Sequence, residues 1–213
     1  KGAGSWKGAG SWTPPADHRR CAPVTEPTTI RVAAKGVELV LRTDPGLFSP
    51  RGLDPGTAAM LEVVPIAPTD EVLDLGCGYG PVGLIIAKLI GPERVWMSDV
   101  DATAVALSRE NAERNGLAGV TTVVSDGVEG ISRAGFTLIL LNPPYHVDFA
   151  VPKKLVRKGF NRLAIGGRMA LVVKREEWYR QQLSAVFGGC RVTVKDGYSV
   201  LIAEKRTGTW ARA

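Results

Sequence analysis

The residues with the plainest chemistry are Asn142-Pro143-Pro144-Tyr145, which directly follow the apolar run Thr137–Leu141. An exocyclic amine on a nucleobase or a carboxamide is planar and its lone pair is delocalised, so it is a poor nucleophile. Two well-placed acceptors can hold its two N–H bonds and turn the lone pair toward an electrophile. The side-chain oxygen of Asn142 and the backbone carbonyl of Pro143 are suited to that task. Successive prolines stiffen the loop, and because proline lacks an N–H they keep it out of a strand ladder. Tyr145 offers a ring face to a flat target, and stacking of that kind contributes ~1–3 kcal/mol per base. Asn142, Pro143, Pro144 and Tyr145 are therefore the candidate catalytic residues. The chemistry they imply is group transfer to a planar amine, driven by proximity and electrostatics and not by a strong base or a metal. His146 follows as a candidate substrate contact, and a general-base role is its alternative. Asp148 is a weaker candidate of the same kind.

A second cluster reads Asp74-Leu75-Gly76-Cys77-Gly78-Tyr79-Gly80-Pro81-Val82-Gly83. Glycines let a backbone turn tightly and approach a ligand that a Cβ would exclude. The helix that follows offers free N–H groups and a partial positive charge. Gly78-x-Gly80-x-x-Gly83 also satisfies the dinucleotide fingerprint. Asp99 lies 25 residues beyond Asp74 at a strand end, where its carboxylate could accept both hydroxyls of a ribose. Asp126 follows the next strand and could meet an adenine amino group. The expected cofactor contacts are Asp74, Gly76, Cys77, Gly78, Gly80, Asp99, Val100 and Asp126, together with Asn142. Asp101 is expected only to cap a helix, and Cys77 to be a small filler with no activated thiolate. These loops suit NAD and S-adenosylmethionine alike. The Asn-Pro-Pro-Tyr motif favours S-adenosylmethionine, because hydride transfer has no use for it.

Alternating strands and helices must place these loops. Ile30-Val32 and Val37-Leu41 predict short strands around a Lys35-Gly36 turn. A Gly/Pro-rich loop over 48–57 then leads into a helix over Thr57–Val64. Strands are predicted at Val72–Leu75, Arg94–Ser98, Thr121–Val124, Thr137–Leu141 and Arg168–Lys174. Helices are predicted over Pro81–Ile90, from Asp101 through Asn115, over Pro152–Leu163 and over Glu176–Phe187. Arg191–Lys195 and Tyr198–Glu204 flank Asp196-Gly197, a strong hairpin signal. Repeated β-α-β units predict an α/β fold: a Rossmann-like, doubly wound and mostly parallel sheet with a C-terminal antiparallel hairpin strand. Ligands in such sheets bind at the carboxyl ends of the strands, so the loops after Leu75, Ser98, Val124 and Leu141 carry the site. Residues 1–12 repeat KGAGSW, followed by Pro-rich sequence. Residues 1–29 are expected to be an artefactual or flexible segment, with a base-stacking arm bearing Trp6 and Trp12 as the alternative. Residues 30–206 are expected to form one domain, and 207–213 a tail.

Composition narrows the setting. Of 213 residues, 45% are hydrophobic and 23% charged, as in an ordinary globular domain. No apolar run approaches a membrane span and no leader peptide is visible, so no membrane partner is expected. Three separated cysteines, Cys21, Cys77 and Cys190, argue against a disulfide framework and a zinc site and suggest a reducing cytoplasm. The net charge of +6 is unevenly spread: residues 1–150 hold 13 basic and 17 acidic side chains, and residues 151–213 hold 14 and 4. A basic half of this kind suits a polyanion such as RNA. Lys153, Lys154, Arg157 and Lys158 should share one helical face beside the catalytic loop. The first three are candidate substrate contacts. Arg162, Lys174, Arg175 and Arg180 extend the basic set.

The stretch from Gly36 to Arg206 resembles the methyltransferase small family, a class I methyltransferase fold whose members include bacterial 16S rRNA guanine-N2 methyltransferases. Four pieces carry the resemblance: LFSPRGLDPGT, VLDLGCGYGPVG, SDVDATAVALSRENAERNGL and LNPPYH. It implies an S-adenosylmethionine-dependent methyltransferase, with Thr57 near the methionine end of the cofactor. The implied substrate is an exocyclic base amine in rRNA or tRNA, guanine N2 first. Adenine N6 in RNA or DNA, and a glutamine side chain of the release-factor type, remain alternatives. The sequence departs from the rRNA enzymes in bearing Tyr145 where Phe is common, and the second, degenerate domain that those enzymes often carry is not expected within these 213 residues.

Overall fold

The computed structural model describes residues 28–143 and 150–210. The repeat with Trp6 and Trp12, Cys21, and the expected site residues Pro144, Tyr145 and His146 lie outside the described residues, as does Asp148.

Strands β1 (Thr28–Ala34) and β2 (Val37–Thr43) pair antiparallel as a separate two-stranded sheet. Lys35 and Gly36 both take positive φ, 52° and 77°, the backbone that a two-residue hairpin turn of matching twist requires. Helix α1 runs over Pro55–Val63, two residues earlier than expected. Asp54 caps it by accepting from the Thr57 N–H at 2.8 Å, and Pro55 sits where its fixed φ suits a first helical turn and its missing N–H costs nothing.

The main sheet is built from β3 (Val72–Leu75), β4 (Val95–Asp99), β5 (Thr121–Val124), β6 (Phe136–Leu141), β7 (Leu163–Val173), β8 (Arg191–Lys195) and β9 (Tyr198–Glu204). Its order is β5-β4-β3-β6-β7-β9-β8, parallel except that β9 runs antiparallel to both neighbours. Four helices connect these strands: α2 (Pro81–Ile90), α3 (Ala102–Arg114), α4 (Ala150–Arg162) and α5 (Glu176–Phe187). The strand predicted over Arg168–Lys174 begins earlier, at Leu163, and takes in Gly166-Gly167. These residues do not end a loop but lie inside β7, where the pairing with β6 shifts register between Phe136 and Leu138.

Side chains alternate along the buried strands. Leu138 and Leu140 join α1, α2, α3 and the hairpin on one face, while Ile139 and Leu141 join α4 and α5 on the other. The hairpin is clipped to α3 by two amides. Asn111 accepts from Arg42 N at 2.7 Å and donates to Arg42 O at 2.8 Å. Asn115 does the same for Val40, at 3.1 and 2.9 Å. Each amide supplies the backbone pairing that an edge strand would otherwise lack. Beyond β9, Trp210 packs under the Arg157 guanidinium, 4.8 Å from its ring centre. Among the described residues no helix is long and apolar enough to cross a membrane.

Chain direction across the sheet reverses between β3 and β6. One half winds outward through β4 and β5, the other through β7. The loops leaving β3 and β6 therefore diverge and open a crevice at the carboxyl ends of the strands.

Candidate active site

A cavity of about 410 Å³ occupies that crevice. The loops after β3, β4, β5 and β6 line it, as expected, joined by the 46–57 segment and the start of α4.

Asn142 leaves the end of β6 and turns its amide toward α1. Its Nδ2 donates to Thr57 Oγ1 at 2.9 Å and to Asp54 Oδ2 at 3.1 Å. Both partners are acceptors for those hydrogens, which fixes which end of the amide is nitrogen. Its Oδ1 is buried and has no partner among the described residues. An acceptor left in that state costs roughly 1–3 kcal/mol, so it is poised for a donor from outside. Pro143 is buried and lines the same cavity.

The glycine loop is held from three sides. The Gly76 and Cys77 N–H groups donate to Ser98 O at 2.8 and 2.9 Å. Gly78 N–H donates to Asp99 Oδ2 at 2.9 Å, and Asp101 N–H donates to Asp99 Oδ1 at 3.0 Å. Each Asp99 oxygen thus has one backbone donor and keeps acceptor capacity toward the cavity. Gly76 and Gly78 take φ of 78° and 55°, and a Cβ built on either meets nothing within 4 Å. It would project into open space that a ligand can use. Val100, 70% exposed, and Leu155 supply apolar wall on either side. Asp101 lines the cavity and also caps α3, accepting from Thr103 N–H at 2.8 Å.

Asp74 is buried beneath the loop and accepts from Gly83 N–H at 2.9 Å. Burial pushes its carboxyl up from its ordinary 3.8 to about 7; the Gly83 bond opposes this and Asp99 adds a smaller push. Because the folded value is raised, the stability this group contributes is full below pH 4 and is lost as pH rises through about 7. Asp74→Asn cannot ionise, so its melting temperature relative to wild type should be higher at pH 8 than at pH 5, by the equivalent of ~2 kcal/mol. Thermal melts at both pH values check this, and an equal difference at each would contradict it. Cys77 is buried at the cavity wall and burial raises its thiol well above the ordinary range, which suits a filler and not a nucleophile.

Several expected contacts fall elsewhere. Gly80 does not line the cavity. Its φ of 95° starts α2, and a Cβ there would lie 3.1 Å from Ser108 Cβ. Asp126 lines the cavity, but its Oδ2 is 2.7 Å from Lys154 Nζ, which also reaches Glu129 at 3.1 Å. Lys154 is therefore paired with two carboxylates at the surface. Arg157 is laid on Trp210. Lys153 is exposed on α4, outside the cavity lining. The basic half is in good part internal wiring as well. Arg168 pairs with buried Asp70 at 3.0 Å, Arg162 donates to Val128 O at 3.2 Å, and buried Lys205 donates to Phe160 O and Leu163 O.

Sequence reasoning missed two residues that organise the site. Asp54 joins the α1 cap to Asn142, and an Asp directly before Pro at a helix start was the available signal. Tyr79 donates from its buried hydroxyl to Ser49 O at 3.0 Å and Gly52 O at 3.1 Å, tying the 46–57 segment to the glycine loop. Burial, then the Asp54 charge, push that phenol up to about 12, so it stays a donor. No sequence signal pointed to Tyr79.

Residues 38–202 match the methyltransferase small domain. The chain belongs to that family. Ribosomal RNA small subunit methyltransferase C of Pseudomonas paraeruginosa is 35% identical over 173 residues, which cover 79% of this chain and 52% of that protein. The namesake from Sodalis glossinidius is 34% identical over 164 residues, 75% of this chain and 46% of its own length. The structure of the Thermus thermophilus 16S rRNA N2 guanine methyltransferase RsmC, solved with AdoMet and guanosine, superposes with a TM-score of 0.78 at 30% identity. That match covers 86% of this chain and 52% of that one. This chain thus spans about half the length of the relatives it matches. Its sheet order and mostly parallel arrangement with antiparallel C-terminal strands are those of a class I methyltransferase.

Proposed function

We propose that this chain is an S-adenosylmethionine-dependent N-methyltransferase of RNA whose target is an exocyclic base amine, guanine N2 of rRNA first. The observation that carries the reading is the buried, unpartnered Oδ1 of Asn142, a residue that lines the cavity. A planar amine needs an acceptor there, and little else in a methyltransferase mechanism would. The relatives' names support rRNA, and the guanosine in the Thermus structure favours guanine over adenine or glutamine.

The residues fit the cofactor. Open space above Gly76 and Gly78 would admit its backbone-hugging portion. Asp99 would accept a ribose diol, Val100 and Leu155 would flank the adenine, and Asp126 would stand near its amino group. Thr57 and Asn142 would lie at the methionine end. When bound, the cofactor supplies a methyl group made electrophilic by a positive sulfur. The protein's part is to hold the amine by Asn142 Oδ1 and the Pro143 carbonyl, keep water out of an apolar pocket, and fix the approach. Pro144, Tyr145 and His146 follow directly in the chain and complete the proposed substrate contacts. The free thiols of Cys77 and Cys190 suit a cytoplasmic setting.

Labelled S-adenosylmethionine incubated with unmethylated RNA, DNA and protein tests the polymer class. Label in RNA alone is expected; label in protein alone would give the glutamine reading precedence. Exposed Lys153 and Lys158 are the α4 cations proposed to meet phosphate. The double variant Lys153→Glu/Lys158→Glu should weaken RNA binding about tenfold and reduce the salt slope by about two. Binding titrations at several salt concentrations check this, with cofactor affinity unchanged. An unaltered slope would remove the helix from the interface.

A further inference from the structure

Asn142 does not choose its own orientation. Its Nδ2 hydrogens are divided between Thr57 Oγ1 at 2.9 Å and Asp54 Oδ2 at 3.1 Å. Thr57 also turns toward Asp54, with its backbone N–H at 2.8 Å and its hydroxyl at 3.3 Å from the same carboxylate oxygen. The hydrogens can be assigned in one consistent way. Thr57 gives its hydroxyl hydrogen to Asp54 and accepts from Asn142, and Asn142 gives its second hydrogen to Asp54. Every donor in the cluster is then used, and the buried acceptor left over is Asn142 Oδ1. A flipped amide would set Oδ1 against the carboxylate and leave the hydroxyl without a hydrogen to accept. Asp54, Thr57 and Asn142 all line the cavity, and Thr57 is buried.

We infer that Asp54 is a positioning residue for the methyl transfer, locking the Asn142 amide through Nδ2 and the Thr57 hydroxyl so that Oδ1 faces the target amine. This rests on the amine-methylating reading given above. A second consequence follows from charge. A carboxylate on the N–H side of an amide draws positive charge to the nitrogen and negative charge to the oxygen. Bonds in such a chain strengthen one another, so Asp54 also makes Oδ1 a better acceptor for an N–H that grows more acidic as the nitrogen gains its methyl group. The same side chain caps α1, which explains why one residue can tie helix start and site together. It also means that a test must separate the two roles.

Serine does so. Asp54→Ser keeps a good N-cap, since serine caps about as well as aspartate, but its hydroxyl is too short to reach Asn142. Asp54→Asn keeps both the cap and an oxygen within reach, and loses only the charge. Asp54→Ser should lower kcat for RNA methylation 30- to 100-fold while leaving the S-adenosylmethionine KM within about twofold and the melting temperature unchanged. Asp54→Asn should recover part of that loss. A capping role alone predicts wild-type kcat in both. The second readout needs no activity. The side-chain amide of Asn142, assigned by its disappearance from the nitrogen-15 spectrum in Asn142→Ala, should show two resolved and slowly exchanging protons in wild type. In Asp54→Ser their exchange with water should speed up at least tenfold. Unchanged exchange overturns the positioning role whether or not RNA is methylated. Faster exchange in Asp54→Ser, where the wild-type protein methylates no amine, leaves the lock on the Asn142 amide in place and overturns the functional reading instead.

Discussion

Asn142→Ala is expected to lower kcat for methyl transfer by 10³-fold or more while leaving cofactor affinity within a few-fold of wild type. The variant removes the buried side-chain acceptor proposed to hold the amine. Removing a single preorganised polar contact at a reacting centre costs about 10²–10³ in rate. Here the lost contact also orients the lone pair, so the effect should sit at the upper end or beyond. Truncation also leaves Thr57 and Asp54 without the amide hydrogens they now accept. Asn142→Asp is the sharper companion. It keeps the shape but sets a second carboxylate about 3 Å from Asp54, since the replaced nitrogen lies 3.1 Å from Oδ2. Like charges at that range cannot both ionise comfortably, so this variant should be nearly inactive and regain some activity at lower pH as one carboxyl takes up a proton. Single-turnover methylation, with cofactor affinity measured separately by calorimetry, checks both variants. A loss confined to cofactor KM would move Asn142 from the reacting amine to the cofactor.

The second large effect is expected at Asp99. Asp99→Ala should raise the dissociation constant for S-adenosylmethionine by 10²-fold or more. A hydrogen bond to a charged acceptor contributes about 1.5–3 kcal/mol, and a ribose diol would form two. The loss is compounded within the loop. Gly78 N–H and Asp101 N–H now rest on the two Asp99 oxygens, and alanine would leave both without that partner. Asp99→Asn should fall between, since it retains one acceptor. Calorimetric titration with S-adenosylhomocysteine reads the effect directly. An affinity unchanged in Asp99→Ala would mean that the nucleoside lies elsewhere in the cavity.

Much of the frame was legible because its signals are local. Asp101 ahead of an Ala-rich periodic stretch that runs to Asn115 brackets α3 to within a residue. Asp196-Gly197 announced the β8–β9 hairpin, and both residues take the positive φ that such a turn demands. Asn142 was legible for another reason: its chemistry depends on immediate neighbours, Pro143 and Pro144. The pairing inside the basic half was not legible because a charge count sees donors and not their partners. The groups that occupy Lys154, Arg168 and Lys205 come from Asp126, Asp70 and the carbonyls of Phe160 and Leu163, 28 to 98 positions away. Gly80 stands outside the cavity lining, and a fingerprint match specifies glycine without saying why. Here the reason is packing against Ser108, and Gly76 and Gly78 are the glycines that face the crevice. The link between Asp54 and Asn142 spans 88 positions and becomes visible only once the first helix is laid beside the end of β6.

The central claim is that the methyl group goes to a planar exocyclic amine held by Asn142. Its most direct test is nucleoside mass spectrometry of RNA methylated by the wild-type protein, with Asn142→Ala in parallel. The predicted result is a single N-methylated purine, N2-methylguanosine, present with wild type and absent with the variant. A methyl group on a base carbon, a ring nitrogen or a ribose 2′-hydroxyl would contradict the claim, because none of those positions is a planar amine with two N–H bonds to share between Asn142 Oδ1 and the Pro143 carbonyl.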